Sequence, residues 1–161
     1  MKAAILRSFD QPLDVAEMET PTPGPHQALV RLVASGVCHT DLHASEGDWP
    51  VKPAPPFVPG HEGVGVVEAV GPEVDDLAVG DLVGNAWLWS ACGKCEYCRK
   101  GRETLCVSEE LGGSTQNGSF GEYMLVDARY APRTRRASTH SRRPRSSAPA
   151  SPSTRASRRP R

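Results

Sequence analysis

Residues 91–106 read ACGKCEYCRKGRETLC and set Cys92, Cys95, Cys98 and Cys106 within one short, charged stretch, spaced C-x2-C-x2-C-x7-C. A tetrahedral zinc ion takes four soft ligands at about 2.3 Å, and thiolates two residues apart can turn inward together while the backbone between them folds around the metal. All four donors come from one loop and leave no position open for chemistry. The spacing therefore predicts a structural zinc site in a lobe over residues 91–107. Lys94, Arg99, Lys100 and Arg102 lie among the ligands and soften the charge of a tetrathiolate. Two rival readings use the same residues. Free thiols so close together would oxidise readily. An iron–sulfur cluster matches the first three cysteines, but the fourth stands too far away and lacks the following proline.

The fifth cysteine, Cys38, opens CHTDLHASEGDWP, upstream of PGHEGVGVVEAVG. Gly60-His61-Glu62, with Gly65, Gly71 and Val74 behind it, resembles the zinc signature of the medium-chain alcohol dehydrogenases. Residues 1 to about 131 are similar to that family throughout, and the cysteine loop has the spacing of its structural-zinc lobe. Cys-His-Thr-Asp with Gly47-Asp48-Trp49-Pro50 is most similar to the bacterial and yeast type that oxidises small primary alcohols.

The resemblance implies a second, catalytic zinc. Such a site keeps one open position and takes three protein ligands, often two Cys and one His, so that an alcohol can bind the metal and lose its proton near neutral pH. By the resemblance, Cys38 and His61 are two of those ligands and Glu62 is the neighbouring carboxylate. Asp41 holds the other nitrogen of His61 and fixes its tautomer, as outer partners of metal ligands do. Thr40 and His43 match the family's relay, which carries the alcohol proton through a hydroxyl, and the cofactor ribose, to an imidazole at the surface. His39 falls at the cofactor pyrophosphate, and Trp49 and Trp87 narrow the pocket to short alcohols. The implied cofactors are Zn²⁺ and NAD(P), and the implied partners are a small alcohol or aldehyde and further copies of the chain. Taken alone, Cys38 also reads as a small buried hydrophobe, and either tryptophan as core. His26 and His140 fall outside these motifs.

Positioning these groups falls to small β elements punctuated by turns. Ala3 to Arg7, Ala28 to Ala34, Gly63 to Val70, Asp81 to Val83 and Phe120 to Val126 are β-rich runs, separated by Pro23-Gly24, Pro59-Gly60 and Gly71-Pro72. One short helix is expected near Thr40. The expected fold is mainly β, which the resemblance makes a GroES-like, partly open barrel with a zinc-binding lobe and few short helices.

The chain's net charge of zero hides two unlike segments. Residues 1–128 hold all 19 acidic side chains and 8 basic ones, while residues 129–161 hold 11 Arg and no acid. Beyond Tyr130 the tail is almost wholly Arg, Ser, Pro, Ala and Thr, with nothing to bury, so disorder is expected over 132–161. The alternative is a basic arm binding nucleic acid, which the lack of stacking aromatics and of helical pattern disfavours. No apolar run is long enough to span a bilayer, the start carries no secretory pattern, and an odd cysteine count argues against disulfides. A cytoplasmic protein is the expectation.

The family's third catalytic ligand, a cysteine, and its glycine-rich Rossmann turn are both missing from this sequence. The tail offers a reason. Read one base out of register, the codons of residues 142–156 permit Ala-Ala-Pro-Ile-Leu-Cys-Ala-Gly-Val-Thr-Val-Tyr-Lys-Gly-Leu, the segment the family leads one to expect, cysteine included. The same offset over 134–138 permits Pro-Glu-Gly-Val-Asp. The expectation is a frameshift near residue 131, leaving a truncated catalytic domain with little activity and some uncovered apolar surface.

Overall fold

The computed structural model describes residues 1–49 and 53–134. Its order is β1 (Lys2–Ile5), β2 (Asp14–Glu17), β3 (Gln27–Ser35), α1 (His39–Glu46), β4 (Gly63–Val70), β5 (Leu82–Gly84), β6 (Leu88–Ser90), α2 (Glu96–Arg99), a 3-10 turn (Glu103–Leu105), β7 (Glu110–Leu111) and β8 (Tyr123–Asp127). The five expected β runs all carry strands, and the helix begins one residue before Thr40. The strands β2, β6 and β7 were not expected.

The main sheet is antiparallel, ordered β5-β4-β3-β8, and among the described residues it does not close into a barrel. β4 shows why its sequence makes a strand: in GVGVVEAV the first, third and fifth residues are buried, so one face points at the core. Gly65 is required there by crowding, since a Cβ would lie 2.6 Å from Val30 Cγ1 and closer still to the Arg31 carbonyl. Val30, Val67, Val83, Met124 and Val126 fill the core. Each side chain of this kind contributes about 1.5–3 kcal/mol when fully buried.

Two smaller pairs attach to this frame. β1-β2 lies over Val58, and Leu6, Ala44 and Phe57 form a separate cluster that seats α1 together with Phe9 and Trp49. β6-β7 is the stem of the cysteine lobe. Trp89 on that stem is buried and donates its indole N–H to the Leu125 carbonyl at 3.1 Å, fastening the lobe to β8. The chain stays paired to β5 through Thr134, whose N–H donates to the Leu82 carbonyl at 2.8 Å. The disorder expectation covers 132–161; residues 132–134 are described and run beside β5, where Arg133 bridges Val83, while residues 135–161, on which the rest of that expectation and the frameshift expectation fall, lie outside the described residues.

Candidate metal centres

The register of β3 against β4 builds the first site. Ser35 pairs with Gly63, so residues following β3 run beside those preceding β4, and the Gly36 N–H donates to the Glu62 carbonyl at 2.9 Å. Gly36 suits that approach because a Cβ there would strike the Glu62 side chain. The result is that Cys38, His61 and Glu62 each offer a donor atom, all within 4.8 Å of one another.

Asp41 orders the group from the first turn of α1. Its Oδ2 accepts the Cys38 N–H at 2.9 Å, the reach-back bond of a helix start, and its Oδ1 lies 2.8 Å from His61 Nδ1. Both side chains are buried. An ionised carboxylate only accepts, so Nδ1 carries the imidazole proton and Nε2 keeps its lone pair for a ligand. The Cys38 thiol contacts Thr40 Oγ1 at 3.6 Å. Trp87 stands edge-on to the His61 ring at 5.3 Å, and Trp49 edge-on to Trp87 at 5.4 Å. His61, Glu62, Asn85 and Trp87 line a cleft of about 460 Å³. A comparable cleft of about 500 Å³, between Pro53–Phe57 and Ser114–Asn117, shares none of these residues.

His39 and His43 lie one turn apart on α1 with rings stacked at 4.8 Å, and His43 Nδ1 is 2.9 Å from Asp48 Oδ2. No hydrogen bond joins Thr40 to His43. Asp48 is a partner that the sequence alone did not reveal. It reaches His43 because Gly47 ends α1 in the left-handed conformation, φ 69°, and turns the chain back. The Gly47 at that end was the available signal.

The four sulfurs form the second site. Cys92, Cys95, Cys98 and Cys106 offer donors all within 4.8 Å of one another, with Sγ–Sγ distances of 3.9 Å for Cys92–Cys98 and 3.4 Å for Cys95–Cys98. A tetrahedron with bonds of about 2.3 Å has edges of about 3.8 Å, so the donor set fits zinc. Cys95 caps α2, its sulfur accepting the Cys98 N–H at 3.5 Å. The Cys106 sulfur accepts the N–H groups of Cys92 and Ser108, each at 3.4 Å. Backbone N–H groups of Lys94 and Cys95 lower the Cys92 thiol to about 6, and the Cys98 N–H lowers Cys95. Burial, then the neighbouring Cys95 and Cys106, push Cys98 up to about 12. Tyr130 closes the lobe, donating its hydroxyl to Ala91 O at 3.4 Å and to Glu103 at 3.3 Å. Burial, then the Glu103 carboxylate, raise that phenol above its ordinary value.

Residues 24–135 match the alcohol dehydrogenase GroES-like domain family. The chain belongs to that family. An alcohol dehydrogenase of Moraxella sp. (strain TAE123) is 58% identical over 130 residues, which are 81% of this chain and 38% of that protein. The cobalt- and zinc-bound thermostable alcohol dehydrogenase from Pyrobaculum aerophilum superposes with a TM-score of 0.77 at 35% identity, covering 84% of this chain and 41% of that one. An NAD-dependent alcohol dehydrogenase superposes with a TM-score of 0.75 at 34% identity, covering 83% of this chain and 39% of that one. The GroES-like chain thus spans 37–39% of the length of the curated relatives it matches. Among its described residues no helix is long and apolar enough to cross a membrane.

Proposed function

We propose that this GroES-like chain is the zinc-binding part of an alcohol dehydrogenase that oxidises a short primary alcohol to an aldehyde, with hydride passing to NAD(P). The observation that carries the reading is the meeting of Cys38, His61 and Glu62, drawn from two separate segments and ordered by one buried carboxylate. Sulfur, imidazole nitrogen and carboxylate oxygen together are a donor set suited to zinc. Zinc bound there supplies a Lewis acid that polarises a hydroxyl oxygen.

The chain's own groups do the rest. Asp41 keeps the proton on His61 Nδ1. Thr40, beside the Cys38 sulfur, accepts the substrate hydroxyl's proton while releasing its own, and half-exposed His43 is the surface imidazole that passes a proton on to water; no hydrogen bond joins the two, so a further hydroxyl must bridge them. His39, exposed on the same helix face, is placed to meet the cofactor's phosphates. Trp87 and Trp49 bound the cleft and favour small substrates. The cysteine quartet holds a structural zinc that fixes the lobe.

A companion reading, from a different class, is a zinc-binding module without catalysis, kept folded by the cysteine lobe. The frameshift reading of the tail is tested by DNA sequence across residue 131: no one-base slip restoring an open frame refutes it. Cobalt substitution tests the site itself. A second equivalent of Co²⁺ should give thiolate charge-transfer absorption that Cys38→Ser abolishes; an unchanged second spectrum sinks the assignment. Titration with NADH separates enzyme from module, since a saturable fluorescence enhancement contradicts the module reading.

A further inference from the structure

We propose that Leu88 couples the cysteine lobe to the Cys38–His61 cleft, so that the metal state of the lobe sets the position of Trp87. Residues Gly84 to Trp87 line that cleft together with His61 and Glu62. The two ends of this wall are held differently. At its start the Asn85 N–H donates to the Gly63 carbonyl at 2.7 Å, which pins the wall to the main sheet. At its far end Trp87 runs straight into β6, the stem of the lobe.

That far end is held from the lobe side. The Trp87 carbonyl accepts the N–H of Gly112, the residue after β7, at 3.0 Å. Gly112 lies so close to the wall that a Cβ there would stand 2.6 Å from Asn85 Nδ2. Leu88 pairs with Leu111 and packs against Ala91, Cys98 and Cys106, two of which belong to the sulfur quartet. The Trp89 bond to Leu125 anchors β6 one residue further on, so any loosening is confined to the segment between Asn85 and Trp89.

With the quartet filled, Leu88 keeps its packing and Trp87 stands edge-on to His61 at 5.3 Å. With the quartet empty, the binding free energy that orders the lobe is lost, Leu88 loses Cys98 and Cys106 as neighbours, and Trp87 moves off the His61 ring. The donors stay in place, because Cys38 and His61 are positioned by β3, β4 and Asp41. One site thus changes the shape of the other without touching its ligands, through two states of one short segment. A wider cleft admits larger alcohols, a consequence that rests on the functional reading above; the movement of Trp87 does not.

The test uses the zinc-loaded full chain carrying Cys38→Ser, so that the lobe is the site holding the ion. A chelator withdraws zinc stepwise while NMR follows the Trp87 indole, the cross-peaks between the Trp87 and His61 rings, and the methyl groups of Val30 and Val67 in the core. The cross-peaks should vanish and the indole resonance shift in step with zinc release, while the methyl resonances hold their positions. Cross-peaks that survive complete release overturn the proposal. Methyl resonances that move in parallel also overturn it, since the whole sheet is then unfolding. Leu88→Ala probes the route: it removes the packing but none of the four sulfurs, so the cross-peaks should be lost with zinc still bound. Cross-peaks retained in zinc-loaded Leu88→Ala sink the coupling. Neither result bears on the cobalt spectrum of the unsubstituted chain, which tests the functional reading.

Discussion

The cysteine lobe and the Cys38–His61 cluster are both sets of metal donors, yet they are assembled in different ways. The lobe draws all four sulfurs from residues 92–106, and its local turns alone, the Cys95 cap and the N–H groups aimed at Cys106, bring them together. The other cluster depends on the register of β3 and β4 and on Asp41, so the sheet must form before its donors meet. A complete local set ties metal to folding. A set carried by a sheet forms only with that sheet.

Removing one lobe sulfur should have the largest effect. Cys98→Ser takes a buried thiolate out of a four-sulfur shell whose binding free energy is folding free energy for the lobe, on the scale of about 10–16 kcal/mol for structural zinc sites. Zinc per chain, read by elemental analysis, should fall by about one equivalent, and amide exchange over 91–107 should rise. Cobalt absorption from the Cys38 cluster should persist. Loss of both signals together would contradict the separateness of the two regions.

Asp41→Asn addresses the other region. The amide keeps the shape but can present an N–H to His61 Nδ1, which drives the imidazole proton to Nε2 and removes the lone pair a metal needs. Affinity at the Cys38 cluster should drop about 10–100-fold with the lobe unaffected, measured by competition with a chromophoric chelator. An unchanged affinity would mean that Asp41 does not set the tautomer.

The same contrast explains what the sequence made legible. Four thiols in one loop are read from spacing because nothing distant is needed to unite them. Cys38 and His61 are joined by strand register, which a sequence pattern does not specify, and only the resemblance to a family paired them. The expected runs Gly63 to Val70 and Ala28 to Ala34 became β4 and β3 because their apolar residues match a half-buried strand. β2, reading DVAE, is largely exposed, and β6 and β7 are three and two residues long, so none carries a hydrophobic period to detect. Trp89, core rather than pocket wall, gave no sign that its indole would fasten the lobe to β8.

A third, smaller effect concerns protons in the lobe. The folded metal-free loop holds Cys98 protonated, raised to about 12, while Cys92, lowered to about 6, is already thiolate at neutral pH. Zinc must displace the Cys98 proton at any neutral pH, and below about 6 it must displace the Cys92 proton as well. Affinity should therefore fall more steeply with acidification below that point. Calorimetry in buffers of different ionisation enthalpy should register more protons released per zinc at pH 5.5 than at pH 7. Equal release at both would show that Cys92 is not held as a thiolate.

The smallest expected effect falls on the helix that serves the Cys38 cluster. Gly47 has φ 69°, and a Cβ there would lie 2.9 Å from the Phe9 ring, so Gly47→Ala combines left-handed strain with a clash. The cost should be about 1–3 kcal/mol in chemical denaturation. Its local consequence is more informative, because the turn at Gly47 is what folds Asp48 back to His43, whereas Asp41 and Cys38 sit at the opposite end of α1. Loosening the C-terminal end should break the His43–Asp48 contact, read in the His43 ring shifts by NMR, while cobalt at Cys38 keeps its spectrum. Should both ends respond alike, α1 behaves as one rigid lever, and the Cys38 cluster depends on the whole helix rather than on its first turn.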